Sequence, residues 1–398
     1  MNVVNDLAKW PVYGTDEIDA VVNVLKSGKV NYWTGSECKL FEKEYAESIG
    51  CQYAVSLMNG TVALELALIA LDIKAGDEVI TPSRTFMAST SCIIARGAIP
   101  VFAEVDRVSQ NVTAATIEAA ITPRTKAVIV VHHAGWPCEM DKIMELAKRR
   151  NLYVIEDCAQ AHGAMYKGKA VGSWGHVAAF SFCQDKIITT GGEGGLLTTN
   201  DKTFWERAWS YKDHGKDYDT VFHKQHPPGF RWIHASFGSN WRMTEMQAAI
   251  GRLQLRKLPE WTHIRTRCAQ AFNEAFAKIA ALRITPVPPE VVHAHYRYYM
   301  FVRSDELKPD WNRDRIMQEI NKRGVICLSG GCPEVYLEKS FDHTPYRPAQ
   351  RFPIAKELGE TSLALLLHPT LSESEICRVI EVVTQVLREA TEAVLKNR

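Results

Sequence analysis

A lysine stands between an apolar run and a glycine-rich turn in "AAFSFCQDKIITTGGEGGLLTTN", residues 178–200. A lysine amine held partly out of water can shed its charge and attack a carbonyl carbon, so Lys186 is a candidate for an imine-forming lysine. The glycines of "TTGGEGG" would let cofactor and substrate approach the backbone closely. A solvated lysine beside a tight turn is the ordinary alternative for each feature taken alone.

Acidic and amide side chains end a second apolar run, in "VIEDCAQAHGA". Glu156 and Asp157 close a predicted strand, and Gln160 follows three residues later. A fixed carboxylate that pairs with a protonated ring nitrogen keeps pyridoxal phosphate (PLP) an electron sink, and Gln160 could donate to the phenolate oxygen of the same ring. A helix N-cap is the alternative interpretation of Asp157.

Residues suited to the rest of such a cofactor lie after other predicted strands. Gly60 and Thr61, in "MNGTVALELAL", open a helix whose free amides and dipole favour a phosphate. Ser181 lies five residues before Lys186 and offers a hydroxyl to that phosphate. Phe86, in "TPSRTFMAST", could stack on a flat ring. Taken singly, Thr61 could be an ordinary helix N-cap and Phe86 a core residue. The combination of these residues favours a PLP site.

The elements that must position these residues alternate between about residues 50 and 200. Short β-rich runs there are separated by helix-period stretches, which predicts a mostly parallel α/β sheet covered on both faces, with ligands at the carboxyl ends of the strands. A helical pattern then leads into a smaller α+β unit. We therefore predict a large PLP-binding domain over residues 1–255 and a small domain over 256–398, with a functional loop over 216–240.

Composition restricts the partners and the compartment. The 398 residues include 47 basic and 46 acidic side chains, which argues against nucleic acid or an anionic membrane as partner. No apolar run reaches membrane-spanning length, and the N-terminal stretch lacks a signal-peptide pattern. The ten cysteines form no CxxC pair, which favours buried free thiols in a reducing compartment. We expect a cytoplasmic enzyme.

The sequence resembles the sugar aminotransferases of the DegT/DnrJ/EryC1/StrS family, which have the PLP fold type I architecture. The resemblance covers nearly the whole chain and is strongest in "GTVALELAL", "DEVITPSRTFMASTSCI", "VIEDCAQAHGA", "AAFSFCQDK", "GEGG" and "FGSNWRMTEMQAAIG". It implies a covalent link from Lys186 to PLP and a salt bridge from Asp157 to the pyridine nitrogen. It also implies cofactor contacts from Gly60, Thr61, Phe86, Gln160 and Ser181.

The resemblance further implies a homodimer with shared active sites, because Asn240 of "SNWRM" would reach the phosphate bound by the neighbouring subunit. The implied reaction moves an amino group from glutamate to a keto-sugar, with Lys186 as general acid and base. Some relatives are dehydratases with histidine at that position, so Lys186 favours transamination. Glu193 and Arg242 are further candidates for substrate contact.

Two stretches depart from the family pattern. Glu193 lies seven residues beyond Lys186 rather than the usual six, and "GGCPEVYLEKSF" replaces a "YPxPLH"-like stretch. Arg297 stands where many relatives have histidine, and arginine recognises carboxylates, so it could bind either the donor glutamate or a sugar-acid acceptor. Together with overall likeness to the enzymes that make 8-amino-3,8-dideoxy-octulosonate for lipopolysaccharide, this favours 8-oxo-3,8-dideoxy-manno-octulosonate as acceptor. The segment 218–241 would help to shape the sugar pocket.

Three alternatives differ in substrate or in class. A nucleotide-linked 4-keto- or 3-keto-sugar as acceptor changes only the specificity. A PLP-binding sensor without catalysis is disfavoured because no helix-turn-helix or basic tail is visible. A nicotinamide enzyme is disfavoured because "TTGGEGG" matches the GxGxxG pattern poorly and lies late in the chain.

Overall fold

The computed structural model describes residues 7–395 of the chain, with side chains up to residue 391. Its strands are short and most of them form from the apolar runs identified above. In chain order they are β1 (Tyr53–Leu57), β2 (Glu78–Pro82), β3 (Ile99–Ala103), β4 (Thr125–Val131), β5 (Tyr153–Asp157), β6 (Met165–Tyr166), β7 (Lys169–Ala170), β8 (Val177–Ser181), β9 (Gly195–Thr199), β10 (Leu282–Arg283), β11 (Val291–Val292), β12 (Arg297–Val302), β13 (Cys327–Leu328) and β14 (Ser362–Leu366).

The helices surround these strands. In chain order they are α1 (Thr15–Ser27), α2 (Glu37–Ile49), α3 (Gly60–Ala70), α4 (Ala88–Ala95), α5 (Ala114–Ala120), α6 (Met140–Arg150), α7 (Lys202–Lys212), α8 (Tyr218–Phe222), α9 (Glu245–Phe276), α10 (Arg313–Lys322), α11 (Pro353–Thr361) and α12 (Glu373–Leu395). Single 3₁₀ turns occupy His133–Gly135, Ser304–Glu306, Val335–Leu337 and Lys339–Phe341. No helix in the part of the chain that the structure describes is long and apolar enough to cross a membrane.

Seven strands form the large sheet in the order β1-β9-β8-β5-β4-β2-β3. All neighbouring pairs are parallel except β1 with β9 and β8 with β9, so β9 alone runs against the other six. The predicted mostly parallel α/β sheet is thus confirmed. Six strands end at one edge, and the single reversed strand begins there.

Successive side chains of β4 point to opposite faces of the sheet and show that both faces are covered. Ile129 and Val131 pack into one core with α3, α4 and α7, whereas Val128 and Val130 pack into another with α5, α6 and α11. A third core, between the sheet and the helices α2 and α9, covers the β8 end. Each fully buried side chain of this size contributes about 1.5 to 3 kcal/mol, so both faces hold the sheet firmly.

A second sheet of four antiparallel strands, in the order β10-β12-β14-β13, forms the C-terminal unit with α10 and α12. The helix α9 belongs to both units: Leu258 packs in a core of the large sheet, and Phe272 and Phe276 pack in the C-terminal core. Pro259 lies inside this 32-residue helix. The predicted boundary after residue 255 therefore falls within one continuous helix, and the division into two domains stays a prediction.

The segment 216–240, predicted as a loop, contains the five-residue helix α8 and is otherwise irregular. Phe230, Trp232 and Phe237 are exposed on it. The described cysteines are all free thiols, and most are buried, as the composition predicted.

Glu156 and Asp157, adjacent at the end of β5, point in opposite directions. Glu156 is fully buried and accepts hydrogen bonds from the amides of Gly172, Trp174 and Gly175 at 2.7 to 2.8 Å and from Nε2 of His132 at 3.0 Å. Burial raises the pKa of Glu156, but these hydrogen bonds outweigh it and the pKa is lowered. The stability that Glu156 contributes is therefore present above the unfolded-state pKa and lost as the pH falls through the lowered value.

Replacement of this carboxylate tests its role in fixing the strand end. Glu156→Gln places an amide group against amide donors, and we expect the free energy of unfolding to fall by about 2 to 3 kcal/mol. Urea denaturation at pH 7 measures it. The control is Glu145→Gln, an exposed residue on α6, which should change stability by less than about 0.5 kcal/mol. Equal stability of the two variants would contradict this prediction.

Candidate active site

A cavity of about 520 Å³ opens at the edge where the strands of the large sheet end. Its lining comes from the loops after β1, β2, β4, β5 and β8 and from the start of β12, with the segment Leu328–Cys332 on the opposite side. The structure brings nine of the predicted site residues to this cavity: Gly60, Thr61, Phe86, Asp157, Gln160, Ser181, Lys186, Glu193 and Arg297.

Lys186 follows β8, and its side chain is only 17% exposed. Its Nζ lies 3.4 Å from the hydroxyl of Tyr296 and 3.6 Å from Oδ1 of Asp185. Burial lowers the pKa of Lys186, but the interactions with the Tyr296 hydroxyl and the Asp185 carboxylate outweigh it, and the pKa is raised. The Tyr296 hydroxyl in turn donates to Oδ2 of Asp185. The amine therefore sits in a network that can hold or take its proton.

The carboxylate of Asp157 is buried and lines the cavity. Among the described residues, no cationic side chain forms an ion pair with it. Its Oδ2 accepts from Oγ of Ser89 at 2.8 Å, and its Oδ1 accepts from the amide of Ala159 at 3.1 Å. Burial raises the pKa of this carboxyl, with the hydrogen bonds and the charge of Lys186 opposing it. A protonated ring nitrogen placed there would supply the missing positive charge.

Gln160 and Phe86 offer the contacts that a flat ring needs. The Oε1 of Gln160 accepts from the amide of Ala134 at 2.7 Å, which orients its NH₂ group as a donor elsewhere. Phe86 is 68% exposed although it lines the cavity, so its ring face is available for stacking.

Gly60 begins α3 directly against Ser181. A Cβ on Gly60 would lie 2.6 Å from Cβ of Ser181, so only glycine lets the helix and β8 approach this closely. The side chain of Asn59 caps the helix by accepting from the amide of Val62 at 3.0 Å. The amides of Gly60 and Thr61 belong to the first turn and have no partner within the helix, which suits an anion.

The glycine-rich turn folds back along β8 towards β9. The amide of Phe182 donates to the carbonyl of Gly194 at 2.8 Å, and the amide of Thr190 donates to the carbonyl of Phe182 at 3.2 Å. Gly191 and Gly192 have φ values of 83° and 122°, which favour glycine. This conformation accommodates the extra residue and brings Glu193 to the cavity, with Oε1 3.8 Å from Sγ of Cys183.

Asn240 and Arg242 are not among the described residues that line the cavity. Asn240 is exposed, and its backbone pairs with that of Asp213. Arg242 donates from Nη1 to Oδ1 of Asp213 at 2.8 Å. Within one chain, Arg242 therefore makes a structural ion pair, and Asn240 is available at the surface.

Sequence reasoning missed four residues of this site: His133, Asp185, Tyr296 and Tyr299. Tyr296 and Tyr299 stand in the stretch "AHYRYYMFVR", from which only Arg297 was selected. The alternation of polar and apolar residues in that stretch was the one available signal for a strand with a polar face. His133 follows β4 in "VHHAG", at the same strand edge as the other candidates.

Comparison with known proteins agrees with this geometry. The model of the DegT/DnrJ/EryC1/StrS aminotransferase family matches residues 11–384. The chain belongs to this family. GDP-perosamine synthase of Escherichia coli O157:H7 is 36% identical over 351 residues, 88% of this chain and 90% of that protein.

Two further relatives cover almost the whole chain. The spore coat polysaccharide biosynthesis protein SpsC of Bacillus subtilis is 36% identical over 387 residues, 96% of each protein. The crystal structure of an aminotransferase from Psychrobacter cryohalolentis has a TM-score of 0.95 and 53% identity and covers 96% of this chain and 99% of that one. The protein is a PLP-dependent sugar aminotransferase of the fold type I class.

The described residues fit PLP. The buried, unpaired carboxylate of Asp157, the amine of Lys186, the exposed ring of Phe86 and the side-chain-free contact at Gly60 surround one cavity. When bound, PLP withdraws electrons from the reacting carbon of the substrate and carries the amino group between donor and acceptor. As an enzyme of this family, the protein is neither a non-catalytic sensor nor a nicotinamide enzyme.

The covalent link to the cofactor can be located chemically. After borohydride reduction and digestion of the PLP-loaded enzyme, mass spectrometry should find the pyridoxyl group on the peptide that contains Lys186. Lys186→Ala should lose the tag and the turnover, whereas the control Lys148→Ala, an exposed residue on α6, should keep both. A tag on another lysine in active enzyme would contradict the assignment.

Proposed function

We propose that the enzyme transfers the amino group of glutamate to the aldehyde carbon of a sugar acid, 8-oxo-3,8-dideoxy-manno-octulosonate, in the cytoplasm and for lipopolysaccharide synthesis. Arg297 is the observation that carries this proposal, because it brings a guanidinium to the cavity beside the Lys186 network. Its Nη2 donates to Oδ2 of Asp185 at 3.1 Å. Asp185 also lies 3.6 Å from Lys186, so one carboxylate serves two cations and balances only part of the charge of Arg297. The guanidinium can therefore also bind a substrate carboxylate at the cavity wall.

The contacts described above support the following cofactor roles. With PLP bound, Asp157 would hold the proton of the ring nitrogen, Gln160 would donate to the ring oxygen, and Phe86 would stack on the ring. Gly60, Thr61 and Ser181 would bind the phosphate through backbone amides and a hydroxyl. Glu193 lines the cavity at the glycine-rich turn and would contact the substrate.

Lys186 moves the protons of the reaction. With PLP and substrate bound, Lys186 would remove a proton from the donor carbon and return one to the sugar carbon. Tyr296 and Asp185 lie within hydrogen-bond or ion-pair distance of its Nζ, so they can hold its charge while it waits between steps. The cavity position, at the end of β8 and largely out of water, keeps the proton from exchanging freely.

A nucleotide-linked keto-sugar is the second candidate acceptor. Two GDP-perosamine synthases, from Escherichia coli O157:H7 and Caulobacter vibrioides, are 36% and 38% identical to this chain, which favours it. The two candidates differ only in acceptor, since the donor and the cofactor are the same.

A competition experiment distinguishes the two acceptors. With L-glutamate as donor, the enzyme is offered equal concentrations of the octulosonate aldehyde and a GDP-linked 4-keto-sugar, and both amino products are measured by mass spectrometry. We expect the amino-octulosonate to form at least about tenfold faster, because its carboxylate can bind Arg297 and a difference of about 1.4 kcal/mol from that contact gives this ratio. Product from the nucleotide sugar alone would overturn the octulosonate assignment and leave aminotransfer intact.

A homodimer with shared sites completes the proposal. Asn240 is exposed and lies outside the cavity of its own chain, which supports a contact with the phosphate bound by a second subunit. Phe230, Trp232 and Phe237 are exposed in the same segment and are suited to burial against another chain.

Mixed dimers test whether the sites are shared. Lys186→Ala and Asn240→Ala chains should each be inactive or weak, but a mixed dimer has one site with both residues intact. Random mixing should restore about a quarter of the wild-type activity, since half of the dimers are mixed and each has one working site. The control mixes Lys186→Ala with Asp157→Ala: both residues serve the same site, so no activity should return. Failure of the first mixture to recover would contradict a shared site.

A further inference from the structure

Arg84, in the loop after β2, is fully buried with an unbalanced charge. Its Nε donates to Oε1 of Gln110 at 3.0 Å and its Nη2 donates to Oγ of Ser362 at 3.2 Å, but its Nη1 has no hydrogen-bond partner among the described residues. No described carboxylate lies within ion-pair distance of it. Burial lowers the pKa of Arg84, yet a guanidinium remains charged at neutral pH. A buried cation without a counter-charge is costly to the fold.

Tyr299 and His133 lie between Arg84 and the cavity. The Cζ of Arg84 is 5.7 Å from the ring centroid of Tyr299, whose hydroxyl oxygen accepts from the amide of Gly331 at 2.8 Å. The ring of His133 is 5.4 Å from that of Tyr299, and both residues line the cavity. The positive charge of Arg84 therefore acts on the cavity through these two side chains.

His133 is 2% exposed, and neither ring nitrogen has a hydrogen-bond partner among the described residues. Burial, together with the positive charge of Arg84, lowers the pKa of His133 to about 3, so the imidazole is neutral with one N–H donor. Buried polar atoms are nearly always hydrogen-bonded, which indicates a partner supplied by a ligand.

Hydrogen bonds fix the backbone at His133, and Gly331 lies close to its ring. The amide of His133 donates to Oδ1 of Asn111 at 2.9 Å, and the amide of Ala134 donates to Gln160 at 2.7 Å. A Cβ on Gly331 would lie only 3.1 Å from Cε1 of His133, so the opposite wall contacts the ring. A fixed donor with no partner in the fold is preorganised for binding.

We propose that His133 and Tyr299, with the charge of Arg84 behind them, form a subsite for a substrate carboxylate. This rests on the proposed function, in which glutamate and the sugar acid both carry carboxylates. Arg297 differs from Arg84 because Asp185 already balances it. A carboxylate matches the subsite because it has a single negative charge and accepts from the N–H of His133 and the O–H of Tyr299.

Four variants test the subsite in pairs. Arg84→Met and His133→Phe remove the charge or the donor at similar volume, whereas Arg84→Lys and His133→Gln retain them. Glutarate, a dicarboxylate that cannot donate an amino group, is titrated into each PLP-loaded enzyme by calorimetry. We expect the dissociation constant to rise about tenfold or more in the first pair and to return towards the wild-type value in the second.

Two half-reactions identify the source of the carboxylate. In the donor experiment, L-glutamate is added to the PLP-loaded enzyme and the change in cofactor absorbance is followed. In the acceptor experiment, the octulosonate aldehyde is added to the enzyme with the aminated cofactor and the same absorbance is followed. A raised KM in the donor experiment assigns the subsite to glutamate, and a raised KM in the acceptor experiment assigns it to the sugar acid. If Arg84→Met fails to fold, the His133 pair decides, because that ring has no hydrogen bond in the fold to lose.

Wild-type glutarate affinity and wild-type KM values in folded Arg84→Met and His133→Phe would overturn the subsite. A fall in kcat with unchanged KM and unchanged glutarate affinity would overturn it as well. If the wild-type enzyme takes no amino group from glutamate, the proposed function fails. Even then, the subsite would be supported if glutarate bound more weakly to Arg84→Met and His133→Phe but not to Arg84→Lys and His133→Gln.

Discussion

Close contacts at two glycines set the geometry of the active site. The reversed strand β9 begins where β1 and β8 end, and a Cβ on Gly195 would lie 2.1 Å from the carbonyl oxygen of Asn59. A Cβ on Gly60 would lie 2.6 Å from the Cβ of Ser181. Because a side chain at either glycine would collide with these atoms, the start of α3 can approach the end of β8 only with glycine at both positions, and the amides of its first turn lie close to the strand that precedes Lys186.

The charged side chains of the site are buried, and several of them have no ion-pair partner or share one. Asp157 is kept without a cation, so its carboxylate is ready for the ring nitrogen. Lys186, Tyr296 and Asp185 form one network in which a proton can be held. Arg84 is buried beside Tyr299 with no carboxylate in ion-pair contact among the described residues. The described residues thus leave the carboxylate of Asp157 and the guanidinium of Arg84 without ion-pair partners.

The large sheet and most of the residues expected to contact the cofactor could be predicted from the sequence. Each of these residues lies just after a strand that the sequence itself indicates. Lys186 and Asp157 could be located from the apolar runs that precede them. Tyr296 and Tyr299 could not, since their approach depends on how the second sheet packs against the first. His133 was missed because a histidine beside His132, which pairs with Glu156, has no distinguishing local signal. The ordering of residues 218–222 into a helix likewise depends on aromatic packing, with Trp209 and Trp33 against Phe222.

The long helix α9 has a mechanical consequence. One continuous helix is embedded in both hydrophobic cores, so helix rather than a flexible connector joins the C-terminal sheet to the large sheet. Pro259 removes one hydrogen bond from this helix where Leu258 and Trp261, on either side of it, still pack in the core of the large sheet. Because Tyr299 lies on β12 of the C-terminal sheet, this helix ties Tyr299 in the cavity wall to the large sheet whose strand β8 precedes Lys186.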